Sequence, residues 1–291
     1  MQKLFSTLAV SFSILTLITI ISAFTINSDK TLSLIDAIEN KTVTAEITSS
    51  GNYSGNCIDI TLKNNTNYPL KLTSEGGTNF NPVDEGEQTL IQLEDIFLAL
   101  KPNGTYQGKI PAFCSEASDR CPSTATAMTP TKNKRSKLNE LVAYLKGKQV
   151  PKTTYQDAVW CVSDNKPISN IENSNKASKD LRVYLAGLTG QKNSWFSSPQ
   201  HVQVDESGNF NYETVNINGA LEFDCTKGAK VRQDIMKANG DPMFESDKTM
   251  TAQSTHIKYS FRMSVKGWEK GDYYVKIHDG TNLLAKYDFT I

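Results

Sequence analysis

The chain has 291 residues, with 31 basic and 31 acidic side chains and only three histidines. A formal net charge of zero argues against a protein that coats polyanions. No basic cluster is interleaved with the aromatics that a nucleic-acid stacking platform uses.

The first residues are Met1-Gln2-Lys3, and an apolar run broken only by Ser and Thr extends from Leu8 to Ala23. One positive charge, a short apolar core and a small residue at its end read as a secretory signal peptide over residues 1–23. No other segment is long and apolar enough to span a bilayer. The expected location is therefore periplasmic, cell-surface or extracellular, where disulfides persist. Five cysteines are present, and Cys114 and Cys121 bracket a short loop that a disulfide can close. An odd count leaves one thiol over. The pairing of Cys57, Cys161 and Cys225 stays open.

Residues 24–131 read as an N-terminal antiparallel β-sandwich. Ile58, Ile60 and Leu62 alternate with polar residues, the period of a half-buried strand. Lys63-Asn64-Asn65-Thr66-Asn67 turns the chain, and Thr89 to Leu100 begins a second strand unit that turns at Pro102-Asn103-Gly104. From Ser136 the period lengthens. Leu138, Leu141, Val142 and Leu145 form one helical stripe, and Gly147 and Pro151 end it. A second helix opens at Thr153, whose spacing to Gln156 is that of a capping box. A third, with Leu181, Tyr184, Leu185 and Leu188 on one face, stops at Gly190. Residues 132–190 thus form a three-helix segment expected to pack on the first sandwich, and 191–199 read as a linker. Residues 200–291 return to period two and read as an immunoglobulin-like sandwich, with Asp279-Gly280 as a hairpin signal. The fold class is mainly β: two sandwich domains joined by helices.

Charge is uneven along the chain. Residues 24–131 carry 7 basic and 13 acidic groups, a balance of −6, whereas 132–199 carry 12 and 5, a balance of +7. The basic helices, with Lys134, Arg135, Lys137, Lys146 and Lys148, are the candidate anion-binding surface.

Chemistry is hard to find. There is no nucleophile elbow, zinc-binding His pair, phosphate loop or dinucleotide fingerprint, so no cofactor or metal is expected. Asp84, Glu85 and Glu87 share one loop without the spacing of a calcium site, and read as a solvated acidic turn. The sharper candidate is the pair Cys57 and Gln156. Asn56-Cys57-Ile58-Asp59, followed later by Tyr155-Gln156-Asp157-Ala158-Val159-Trp160, resembles the two motifs of bacterial surface thioester domains. That resemblance implies a Cys57 sulfur acylated by Gln156 and covalent capture of a nucleophile. The alternatives are a capping role for Gln156 and a disulfide or free thiol at Cys57. At the C-terminal end, Gly271-Asp272-Tyr273-Tyr274-Val275-Lys276-Ile277, Asp279-Gly280 and Lys286 to Ile291 resemble exported proteins of the Bacteroidetes. This implies either a type IX secretion sorting domain or a plain immunoglobulin-like module. The N-terminal half is similar to uncharacterised exported sandwich proteins of the same bacteria. The expectation is an exported, non-catalytic binding or structural protein of the envelope or surface, its partner a surface ligand or envelope protein. Covalent adhesion through Cys57 and Gln156 is the alternative.

Overall fold

The computed structural model describes residues 31–291, so the expected signal peptide at 1–23 lies outside the described residues. The fold is mainly β, and the residues fall into two compact units. One comprises the chain up to Ala45 with Thr61–Ser74 and Ile96–Gln107, and the other holds the rest.

In the first unit a three-stranded sheet places Leu70–Ser74 between Leu32–Ser33, which runs parallel to it, and Ile96–Leu100. Leu70, Leu72, Leu98 and Leu100 are buried, together with Leu34 and Ala37 of the short helix Leu34–Glu39. The turn after Leu62 forms as its sequence dictates. Asn64 is fully buried, its amide donating to the carbonyls of Tyr68 and Lys101 while its Oδ1 accepts the Thr66 N–H at 2.8 Å. The expected strand from Thr89 to Leu100 is broken into Leu90–Ile91 and Ile96–Leu100.

Six strands close a barrel instead of forming two facing sheets. They are β1 (Val43–Ser50), β2 (Ser54–Asn64), β3 (Thr78–Pro82), β4 (Leu90–Ile91), β5 (Thr105–Cys114) and β6 (Thr124–Lys132). Their order is β1-β2-β5-β4-β3-β6, with β6 returning to β1 antiparallel through Thr48 and Ala127. Closure removes the exposed edges that an open sandwich leaves for other chains to pair with.

The helices in the second unit are α1 (Ser136–Leu145), α2 (Tyr155–Ser163) and α3 (Lys176–Thr189). Leu138, Leu141, Leu145, Tyr155, Val159, Leu181 and Leu185 share one core with Ile91 and Phe113 of the barrel strands. Helix α3 starts where Asn175 Oδ1 accepts the Ser178 N–H and stops at Gly190, whose φ of 79° only glycine adopts readily. Helix α2 departs from expectation. A 3₁₀ turn, Lys152–Thr154, precedes it, and its N-cap residue Thr154 makes no side-chain capping bond. Gln156 is therefore no part of a capping box.

The remaining strands are β7 (Phe196–Ser197), β8 (Gln200–Val204), β9 (Phe210–Thr214), β10 (Asn216–Asp224), β11 (Lys230–Lys237), β12 (His256–Ser264), β13 (Asp272–His278) and β14 (Leu283–Thr290). One sheet has the order β7-β10-β12. The second contains β11-β13-β14, with the short strands Pro242–Phe244 and Met250–Thr251 at its β11 side. Ile217, Leu221 and Phe261 from the first sheet meet Val231, Ile235, Val275, Ile277 and Phe289 from the second in a single core. Gly219 is required there, because a Cβ would lie 2.8 Å from the Trp195 ring. Strands β8 and β9 form a separate hairpin.

The segment 191–199 is no slack tether. Arg182 on α3 is only 1% exposed and reaches across to it. Its Nε donates to Asn193 Oδ1 at 3.1 Å and its Nη2 to the carbonyls of Ser194 and Phe196 at 2.9 and 2.8 Å. Arg182→Ala orphans those acceptors and opens a cavity, so we expect a loss of about 3–5 kcal/mol in urea unfolding. An Arg182→Ala protein within about 0.5 kcal/mol of wild type would mean that the segment holds itself in place.

Candidate functional site

Helix α2 and the loop Cys114–Cys121 organise the largest gathering of polar groups in the second unit. Gln156 is buried, with Nε2 donating to the Cys114 carbonyl at 2.7 Å and Oε1 accepting the Cys114 N–H at 3.1 Å. Asp164, just beyond the helix, accepts the Ala117 N–H at 2.8 Å. From the other side the β8–β9 hairpin closes on the same loop. Cys121 N–H donates to the Gly208 carbonyl at 2.8 Å, and Tyr212 Oη donates to the Ala117 carbonyl at 3.2 Å. Arg135 adds bonds to the carbonyl and hydroxyl of Ser115 and pairs with Glu116 at 3.1 Å.

Between helix and hairpin lies an aromatic cluster. The Trp160 ring stacks on Tyr53 at 6.0 Å and meets Phe210 and Tyr212 edge-on at 5.5 and 5.6 Å. Its Nε1 is buried without a hydrogen-bond partner. One turn earlier on α2, Asp157 is largely removed from water, and that burial raises its carboxyl pKa to about 7.

The candidate thioester pair has separate engagements. Cys57 Sγ donates to the Ala112 carbonyl at 3.2 Å, and burial first, then the nearby Cys121, pushes its pKa up to about 12. Gln156 is held on Cys114 instead, so an acyl link to Cys57 would have to break both of its bonds. All five cysteines are thiols. Burial raises Cys114, which donates to Cys121, and that bond lowers Cys121. The two sulfurs expected to bridge are thus in contact. Cys161 accepts from Gln191 and Cys225 donates to the Ser254 carbonyl, so neither faces another cysteine in these bonds.

The basic surface is mostly engaged. Besides Arg135, Lys146 pairs with Asp95 at 3.0 Å and Lys148 lies over the Tyr144 ring at 4.5 Å, leaving Lys134 and Lys137 exposed. The acidic loop is not uniformly solvated. Asp84 pairs with Arg120 at 3.2 Å, and the Gly86 N–H and then Arg120 hold its carboxyl below the usual range. Glu87 is buried and accepts the N–H and hydroxyl of Ser123. Among the described residues no group of His, Cys, Asp and Glu is arranged to hold a metal.

None of the three histidines faces a nucleophile in these bonds. His278 Nδ1 accepts the Gly280 N–H at 3.1 Å, which leaves Nε2–H to donate to the buried Asp234 at 2.7 Å. Burial would raise Asp234, but the bonds from His278 and the Ser246 N–H outweigh it and lower it. Both ring nitrogens are consumed by structure. His256 sits on the surface between Asp224 and Glu222, and His201 contacts Gln203 in the exposed hairpin.

The aromatic cluster adjoins a cleft of about 750 Å³. Its lining includes Phe196, Val265 and Trp268 as apolar surface, and Lys166, Ser198, Glu213 and Lys270 as polar groups. Lys166 Nζ is held 4.1 Å over the Tyr212 ring. The sequence reading missed this cleft because it took 191–199 as a linker and did not separate out the β8–β9 hairpin. The turn Asp205-Glu206-Ser207-Gly208-Asn209 was the available signal, with Asp205 Oδ1 accepting the Ser207 and Asn209 N–H groups.

No family model matches the chain, and no curated protein matches it. Among solved structures a likeness is found to DesR, a β-glucosidase from Streptomyces venezuelae in complex with D-glucose. The identity is 8%, covering 85% of this chain and 47% of that one at a TM-score of 0.14. The chain spans about half the length of that enzyme. A likeness so slight carries no argument about fold or activity.

Two outcomes are expected from the site. Asp157 binds its proton more tightly when folded, so its stabilising share is full below about pH 4 and is lost as pH rises to about 7. Asp157→Asn is expected to raise stability at pH 8 by roughly 2–4 kcal/mol and to change it little at pH 4, measured by urea unfolding. Intact mass of protein matured under oxidising conditions is expected to show a deficit of about 2 Da, restored by reduction and absent in Cys121→Ser. A deficit of about 17 Da that methylamine reverses would instead reveal a Cys57–Gln156 thioester.

Proposed function

We propose that this is an exported, non-catalytic binding protein of the bacterial envelope or cell surface, with an immunoglobulin-like C-terminal module. The observation that carries the reading is the contrast between the cleft and everything else. The groups that could have been catalytic are spent on structural bonds: Gln156 on Cys114, His278 on Asp234 and Gly280, Glu87 on Ser123. The cleft, in contrast, is of ligand-pocket size, and Phe196, Val265 and Trp268 offer apolar surface beside a handful of polar side chains. Export is supported by Lys3 and the apolar run Leu8–Ala23.

Ligand-observed NMR with a fragment set tests the reading. Bound fragments are expected to lose their line broadening when Thr214→Trp fills the cleft, while circular dichroism stays that of the wild type. Fragments that still bind the filled protein would place binding elsewhere and sink the proposal.

A further inference from the structure

The cleft also carries information about charge, and the inference drawn from it rests on the binding role proposed above. Arg182 lies directly behind its wall, donating to the carbonyls of Ser194 and Phe196, two residues that line it. The remaining bonds go to the Asn193 amide oxygen, the Ser194 hydroxyl and the Ile171 carbonyl, so every partner is neutral. The hydrogen bonds of the guanidinium are satisfied, but its charge is not. Burial accordingly lowers its pKa to about 10, with no carboxylate acting in the opposite direction. A buried unit charge without a counter-ion acts through a low-dielectric wall and is poorly screened by salt.

Two more cations stand in the cleft itself. Lys166 is fixed over the Tyr212 ring at 4.1 Å, and Lys270 lies in the same lining. Glu213 is the acidic side chain among the lining residues. The balance of Arg182, Lys166 and Lys270 against Glu213 is positive. Phe196, Val265 and Trp268 meanwhile provide apolar surface that a fully hydrated inorganic ion would not use.

We infer that the cleft binds an amphipathic organic anion, with its apolar body on Phe196, Val265 and Trp268 and its acidic group met by Lys166 and Lys270. The buried Arg182 sets the sign of the potential, and the lysines supply the contact. Binding is noncovalent, and no bond is made or broken.

Calorimetric titration of the full mature chain at low ionic strength, with octanoate, octanol and octyltrimethylammonium, tests the assignment. Octanoate is expected to bind about tenfold or more tightly than the cation, with octanol between them. The exposed double variant Lys166→Ala/Lys270→Ala is expected to shrink that preference to about threefold, leaving octanol unchanged. Equal binding of the three probes, or a preference untouched in the double variant, would overturn the anion assignment and leave the cleft a binding site of another class. Absence of binding by all three would remove both the assignment and the cleft's binding role. Thr214→Trp serves as the blocked control, and binding that survives it would mean that the probes sit elsewhere.

Discussion

The constraint on which the second unit depends is the unpaired backbone of the Cys114–Cys121 loop. A loop among strands, helix and hairpin must find partners for its N–H and C=O groups, because water does not reach them. Gln156, Asp164, Arg135, Gly208 and Tyr212 provide those partners. Each bond is modest on its own, of order 1 kcal/mol, whereas leaving a buried group unmade costs more. The loop therefore fixes the placement of α2 and the hairpin together. A link between Cys114 and Cys121 would pin the ends of the loop that these elements read.

This explains which parts of the fold could be read from the sequence. Periodicity located α1 and α3 to within a few residues, because Leu138/Leu141/Leu145 and Leu181/Leu185 face one core and the stops are glycines with positive φ. The strand alternation of Ile217, Leu221 and Phe223 survived into the C-terminal core for the same reason. Barrel closure was not legible, since strand alternation looks alike in a barrel and a sandwich and the closing pair, Thr48 with Ala127, is far apart in sequence. Nor was the role of Gln156. Its spacing to Thr153 matches a local capping bond, but the acceptor it uses comes from a strand more than 40 residues upstream.

The cleft was invisible for a related reason. Nothing in Lys166, Phe196, Tyr212 or Trp268 taken singly sets it apart, and they meet only because Arg182 draws 191–199 against α3 while Tyr212 bonds back to Ala117. A buried arginine in a helix can be suspected from an apolar stripe that contains it, but its acceptors are backbone carbonyls with no sequence signature. Asp157 is similar. It reads as a favourable acid in the first turn of a helix, whereas the surrounding rings deprive it of water.

The aromatic cluster has a kinetic side. Tyr53, Trp160 and Phe210 come from the early, middle and late parts of the chain, and their rings meet within about 6 Å. No two of them are close in sequence, so none of these contacts can form until long stretches of backbone have been brought together, and the entropy of closing those loops comes first. The second unit is thus built to complete late, after the residues of β9 exist to cover Trp160. A polypeptide that has to pass through a narrow conduit before it folds benefits from that delay, because it stays unlocked until its last third has arrived.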